Sequence, residues 1–564
     1  MNSNPENPWS LILAHDEITP GNLLRPDNTR KFTSFYISFL EFGHQALRHE
    51  QCWFLVGVLR TKILQHVVGG FSCAAKKLLR ALLVEAGSFT HGIMLPLSAG
   101  PTLLFAKLGV HLGDEAALSS LLCCKGASGI RPCTKCANVV KRDSGLAARS
   151  HRVVEVTCFE PVRFVRTDDN YVWSMHDRLA AMQENVTVGE FEKHQRAYGL
   201  SLNNDGVVAD RELRAYVLPV TSMYFDWQHT FLSNGVASQE IHCFLDACKT
   251  RGCRDVWTLL GDFCRANWSF PRHHHARGAA IFRIFNKSRE KASGDHWKSS
   301  ASELLTAYPL VRRFAESIIA VRFPDMQRTC QSFLACCKAL DMLQDAKAKD
   351  KILDSAPLQQ AVKGYLQLHS AVHGEDGIKP KHHYALHVPE QAQQHKILLD
   401  CFVVERSHQL PKLMATPIKI LLLSKKTVTA RSLLVRLRNL ENFQIENGLR
   451  GRSEAFPELA AELGKPEVLI AAEAMLAGVS LASRDLVRIG DYALSFRAAI
   501  SCSGDVGVLG HLFDVVEQKS ATAFVYRMQP TMSMLWVQGL PIRPCHAWTT
   551  LGSGNVLALQ ADIA

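Results

Sequence analysis

Three carboxylates in this chain stand where an acid can do chemistry. Asp16 closes the apolar run WSLILAHD, and Asp114 follows the apolar run TLLFAKLGVHLG. Glu405 follows CFVV and precedes a basic stretch. Acids that end buried strands are the groups an α/β sheet presents to a ligand. Three of them together can hold two divalent cations ~4 Å apart, one activating the attacking oxygen and one stabilising the leaving oxygen. Spacing alone does not join the three, and Glu17 and Asp27 compete with Asp16 for the first place.

A second constellation is Cys133-Thr134-Lys135-Cys136, preceded by Gly129-Ile130-Arg131-Pro132. Two thiolates at this spacing can share one tetrahedral zinc across a tight turn, but they need two further ligands. The chain has no second CxxC. The partners expected are in KPKHHYALH, where His387 pairs with His382 or His383. A redox pair is disfavoured because no thioredoxin-like βαβ pattern surrounds the cysteines. The triple His273-His274-His275 lies between Arg272 and Arg277 in a polar loop, where a solvated turn or a phosphate contact is expected. The other cysteines of the 17, such as Cys336 and Cys337, are expected to fill core positions as small hydrophobes.

The elements that must position these groups follow from apolar patterning. WSLILAHDE reads as a buried strand, RKFTSFYISFLEF as a second basic-aromatic stretch, and TLLFAKLGVHL as another strand running into the helix AALSSLLC. Residues 72–86 read as helical. From about 210 to 370 the pattern is mainly helical, as in SELLTAYPLVRRFAESIIAV. After about residue 455, an Ala- and Glu-rich segment with two prolines predicts a helical connector over 456–483. Short strands separated by Gly, Ser, Asp and Pro then predict a small β-barrel over 484–564.

With 564 residues, 47% hydrophobic and 21% charged, the chain is long enough for several folded cores. No stretch of ~18 apolar residues is free of charge, so no membrane span is expected. The start has neither a basic segment nor an apolar one of the secretory kind, so an intracellular location and reduced cysteines are expected. The 64 Lys and Arg against 53 Asp and Glu give a net charge of +11, which suits a polyanionic partner.

In order, these pieces resemble DDE-type cut-and-paste DNA transposases of the CACTA and Transib kind, related to the catalytic subunit of the V(D)J recombinase. The segment GDEAALSSLLCCKGASGIRPCTKC resembles the part of that family where a catalytic Asp precedes a CxxC. Downstream, Tyr224-Phe225-Asp226-Trp227-Gln228-His229 is similar to its Asp-x-x-His segment, KHHYALHVPE to its histidine pair, and VVERSH to the site of its catalytic Glu. The resemblance implies an α/β, RNase H-like core with a large helical insertion, plus the C-terminal barrel. The core would span 1–140 and 376–455, with the insertion over 141–375. It implies Asp16, Asp114 and Glu405 as catalytic ligands of two Mg²⁺ or Mn²⁺ ions, and Cys133, Cys136, His382 and His387 as ligands of a structural zinc. His382 is favoured over His383 because it reproduces the family's four-residue gap. Asp226 and His229 are given a structural role. The implied function is divalent-metal-dependent DNA cleavage and strand transfer in the nucleus, with DNA and a second copy of the chain as partners and no organic cofactor. The alternative is a catalytically decayed or domesticated DNA- or chromatin-binding descendant. Arg312, Arg313, Lys412, Arg436 and Arg438 would contact phosphates, and Pro411 would kink or delay the helix of Glu405.

Overall fold

The computed structural model describes residues 3–19, 21–22, 25–26, 31–97, 100–270, 284–348, 354–408, 448–476, 479–503, 505–520, 522–537, 540 and 542–560. Asp27, the triple His273–His275, Pro411, Lys412, Arg436 and Arg438 lie outside these residues. The chain divides into two compact units. The first holds residues 1–231 and 349–443, and the second holds 232–348 and 444–563. Among the described residues no helix is long and apolar enough to cross a membrane.

The first unit is built on a five-stranded mixed sheet. Its strands are β1 (Trp9–Ile18), β2 (Phe32–Phe39), β3 (Phe54–Arg60), β4 (Ala106–Gly113) and β5 (Met223–Phe225). Their order across the sheet is β5-β4-β1-β2-β3. β1, β2 and β3 run antiparallel in sequence, and β4 and β5 join parallel to β1. β1 does not stop at its acids: it continues through Asp16 and Glu17 to Ile18, because β2 pairs with it over that whole length. The run TLLFAKLGVHL divides in two, since Gly100–Leu104 forms a hairpin with Ile93–Leu97 and only Ala106–Gly113 enters the sheet.

Alternation along the strands sets what each face carries. Ile12, Ala14, Tyr36, Val110, Leu112 and Tyr224 share one face and pack against Ile397, Leu399, Cys401, Val403 and Val404. On the other face His15 and His111 stack with ring centres 5.3 Å apart, and Phe71 of α1 (Gly70–Leu83) lies against His15 and Phe35. Helix α2 (Glu115–Leu122) leaves β4 at once and is tied to α1 by the Ser72 hydroxyl, which donates to the Leu121 carbonyl at 2.7 Å.

One irregularity decides the phase of β4 against β1. Leu11 pairs with Leu108 but Ile12 pairs with Val110, so Gly109 is the extra residue of a bulge. A Cβ at Gly109 would stand 2.8 Å from Ser10 Cβ, so the strands approach too closely there for a side chain. Past the bulge, Ala14 pairs with Leu112. The pairing ends there; β1 runs on through Asp16, while Asp114, two residues after Leu112, caps the helix that follows β4.

The second unit differs from the sequence expectation in its boundaries. The predicted helical connector contains one short helix, Pro457–Glu462, and then turns into strands Leu469–Leu476 and Val479–Ala482. Alanine is the best helix former, but propensity is a weak determinant, and here the apolar residues of that stretch are recruited to a sheet, a tertiary gain that overrides it. Nine antiparallel strands from Gly448 to Gln560 form this sheet, and strand Tyr492–Cys502 pairs additionally with Asp505–Ser520. The region is all-β as expected, but it is not a self-standing closed barrel over 484–564. It shares its unit with the helices of residues 232–348. There the Thr522 hydroxyl donates to Asp341 at 3.0 Å, and Ser269 and Trp548 exchange backbone hydrogen bonds. Arg312 is committed in the same place, 2.8 Å from Asp341 and 3.1 Å from Glu316, and Arg313 lies 3.5 Å from Glu316. Arg312 and Arg313, two of the residues expected to contact phosphate, are therefore held in ion pairs within the unit.

Candidate active site and metal clasp

Asp16 and Asp114, drawn from distant parts of the sequence, lie at the C-terminal ends of the parallel strands β1 and β4, and Glu405 comes close enough to Asp16 for their charges to interact. Asp114 caps α2, accepting the Ala117 amide at 2.7 Å. Asp16 accepts the amide of Glu17 at 2.7 Å and lies 3.7 Å from His408 Nδ1. Its competitor Glu17 is engaged elsewhere, with Lys31 at 2.9 Å and the Thr61 hydroxyl at 2.8 Å. Glu405 sits in α5 (Phe402–Ser407), not in a preceding loop. The buried Val403 and Val404 anchor that helix on the apolar face of the sheet that ends in the acids.

Asp16 feels the charge of Asp114, and Glu405 feels the charge of Asp16. Burial and the charge of Asp114 push Asp16 up to about 6. Burial, with Asp226 and Asp16, pushes Glu405 up to about 7 against the opposing pull of His229 and Gln228. Half-buried like charges resist ionising together, so the cluster favours a cation.

The sequence reading missed how close Asp226, Gln228 and His229 come to this chemistry. Asp226 follows β5, and its amide donates to the Gly113 carbonyl at 3.1 Å, which places it beside Asp114. A π-helical turn over Gln228–Leu232 then turns the next side chains toward Glu405. Gln228 Nε2 donates to Glu405 Oε1 at 2.7 Å. His229 stands between two carboxylates, with Nδ1 2.5 Å from Asp226 and Nε2 3.4 Å from Glu405. Burial works against its charged form, but the hydrogen bond and charge of Asp226, with Asp114 and Glu405, outweigh it and raise His229 to about 9. Lys381 completes the rim. Its ammonium donates to the His229 carbonyl at 2.9 Å, and burial lowers its pKa although Asp114, Glu115 and Asp226 are near. The available signal was an Asp-x-x-His directly after an apolar triplet.

The second site gathers Cys133, Cys136, His383 and His387, all buried, with candidate ligand atoms within 4.8 Å of one another. His387 Nε2 lies 3.4 Å from Cys133 Sγ, 3.5 Å from Cys136 Sγ and 3.2 Å from His383 Nε2. Four donors on a tetrahedral ion with ordinary bond lengths stand roughly 3.6 Å apart, so the set fits a metal ion. Its second histidine is His383 and not His382. Residues four apart on a helical path share a face, and those five apart do not. His383 and His387, on α3 (Pro380–Ala385) and α4 (His387–His395), therefore point together while His382 points away. Glu390 Oε2, 3.0 Å from His387 Nδ1, fixes that ring so that Nε2 faces the sulfurs. Arg166 donates to Cys136 Sγ at 3.4 Å and also pairs with Glu390. The hydrogen bond from Cys133 and the charge of His387 hold the Cys136 thiol well below its usual range, while burial raises Cys133.

Compared with known proteins, the chain matches no family model and no curated protein by sequence.

Proposed function

We propose that this chain is a transposase-like or transposase-derived protein whose first unit is an RNase H-like core, and that Asp16, Asp114 and Glu405 form a divalent-cation site for cleaving and joining DNA strands. The observation that carries the reading is that Asp16, near the end of β1, lies within reach of the charges of both Asp114, just after the parallel strand β4, and Glu405, which is carried on a helix. The strand order, three antiparallel strands followed by two parallel ones, supports the same reading.

Two Mg²⁺ or Mn²⁺ ions held by the triad would polarise an attacking water or 3′-hydroxyl and stabilise the leaving oxygen of a phosphodiester. The chain's own groups do the positioning. Asp114 is fixed by its capping bond, and Gln228 and His229 orient the Glu405 carboxylate. Lys381 and a protonated His229 add positive charge to the rim, where a phosphate would approach. The clasp of Cys133, Cys136, His383 and His387 has the donor set of a structural zinc site, with no open position. It ties the segment after Asp114 to the segment before Glu405.

The test is nicking of supercoiled plasmid by the full chain in Mg²⁺ or Mn²⁺. Nicking by wild type that falls at least ~100-fold in Asp114→Asn and Glu405→Gln supports the proposal. DNA binding without metal-dependent nicking would favour the decayed descendant instead.

A further inference from the structure

Asp226, His229 and Cys401 bring three different donor chemistries to one point beside the acids. A carboxylate oxygen of Asp226, a ring nitrogen of His229 and the Cys401 sulfur all lie within 4.8 Å of one another. Two local geometries build the group. In the turn after β5, the Gln228 amide donates to Asp226 Oδ1 at 2.9 Å and the His229 amide to Oδ2 at 3.2 Å, which fixes the carboxylate beside the imidazole. Cys401 stands at the start of α5, where its carbonyl accepts the Glu405 amide at 2.9 Å, so Cys401 and Glu405 share a face of that helix.

Core packing accounts for part of what surrounds Cys401, since it lies among the apolar residues on that face of the sheet. It does not account for the charge. Burial pushes the Cys401 thiol up, and the carboxylates of Asp226, Glu405, Asp16 and Asp400 push it further. A buried sulfur within reach of four carboxylates stands where a cation would relieve the crowding.

We propose that Asp226, His229 and Cys401 form a second transition-metal site, beside the acidic triad and separate from the cysteine clasp. A thiolate, an imidazole and one carboxylate suit Zn²⁺ or Co²⁺, and a single carboxylate gives little hold on a hard cation such as Mg²⁺. His229 Nδ1 and Asp226 Oδ2, 2.5 Å apart, share a proton. The ion takes its place, parting the two atoms to roughly 3.3 Å. Cys401 gives up its thiol proton in the same step, so binding releases two protons to solvent. His229 Nε2–H stays directed at Glu405, 3.4 Å away. The His229 side chain is 22% exposed while Asp226 and Cys401 are buried, so the ion enters past His229 and a water completes the shell there. With three protein donors and one open position, this site exchanges its ion more readily than the closed clasp. The inference does not depend on the chain acting on DNA.

Cobalt titration of the full chain, in excess Mg²⁺ to occupy the acids, tests it against Cys401→Ser, a change of one atom. Wild type should bind one equivalent of Co²⁺ more than Cys401→Ser, and that equivalent should carry a sulfur-to-metal charge-transfer band. His229→Gln, at a partly exposed position, should lose the same equivalent, and it serves as the deciding variant if the circular dichroism of Cys401→Ser departs from wild type. Cys133→Ser should keep it. Equal cobalt stoichiometry and equal band intensity in wild type and a folded Cys401→Ser would overturn the proposal. So would an equivalent that survives His229→Gln.

Discussion

At the scale of single residues, the acid site is defined by carboxylates that resist their charge. Asp16 is raised to about 6 and Glu405 to about 7, both above their unfolded values. A group whose folded pKa is raised contributes stability that is present below its unfolded pKa and lost as pH rises through the folded one. In chelator, wild type should therefore lose thermal stability between roughly pH 4.5 and 7.5 relative to an Asp16→Asn/Glu405→Gln variant, which cannot ionise there. Millimolar Mg²⁺ should remove the difference. Equal melting profiles for the two proteins across that range would mean that the acids are not crowded. Asp16 and Asp114 were legible in the sequence because each sits at or near the end of a buried apolar run. His229 was assigned a structural part, because one histidine after an Asp carries no sign of its direction. The π-helical turn that aims it at Glu405 is not encoded in any spacing rule.

The elements explain both the successes and the misreading of the metal clasp. A CxxC and a histidine pair identify donors, but only the helical path decides which histidine can reach them. His383 and His387 share a face, and His382 does not. Accordingly, His383→Ala should remove the thiolate-bound metal and lower the melting temperature, whereas His382→Ala should leave that metal in place. Metal analysis after chelator-free purification, with absorption of the cobalt form, reads both outcomes. The reverse pattern would return His382 to the clasp. The bulge at Gly109 is the other deciding element, and apolar patterning gave no hint of it. Because its Cβ would meet Ser10 at 2.8 Å, Gly109→Ala should destabilise the first unit by about 1–3 kcal/mol, measured by denaturant unfolding. A neutral effect would show that the two strands can separate there without penalty.

For the whole molecule, the sequence was read as consecutive pieces, while each folded unit is assembled from separated ones. Residues 232–348 join the C-terminal strands, and residues 349–443 return to the first unit. Such pairing rests on contacts far apart in sequence, which local periodicity cannot report. The buried Asp341 illustrates it, since it receives Tyr308, Arg312 and Thr522 from two distant stretches of the second unit. Replacing Asp341 with Ala should cost about 3 kcal/mol, because Arg312 loses its most buried partner. An unchanged denaturation midpoint would show that Glu316 alone satisfies Arg312.

The central claim is that Asp16, Asp114 and Glu405, separated by nearly the length of the first unit's sequence, act as one divalent-cation site. Mn²⁺ binding to the full chain, followed by electron paramagnetic resonance at neutral pH, tests this most directly. Wild type should bind Mn²⁺, and each of Asp16→Asn, Asp114→Asn and Glu405→Gln should weaken that binding at least ~10-fold, with Glu17→Gln unaffected. Binding that is unchanged in Asp114→Asn or Glu405→Gln would contradict the account.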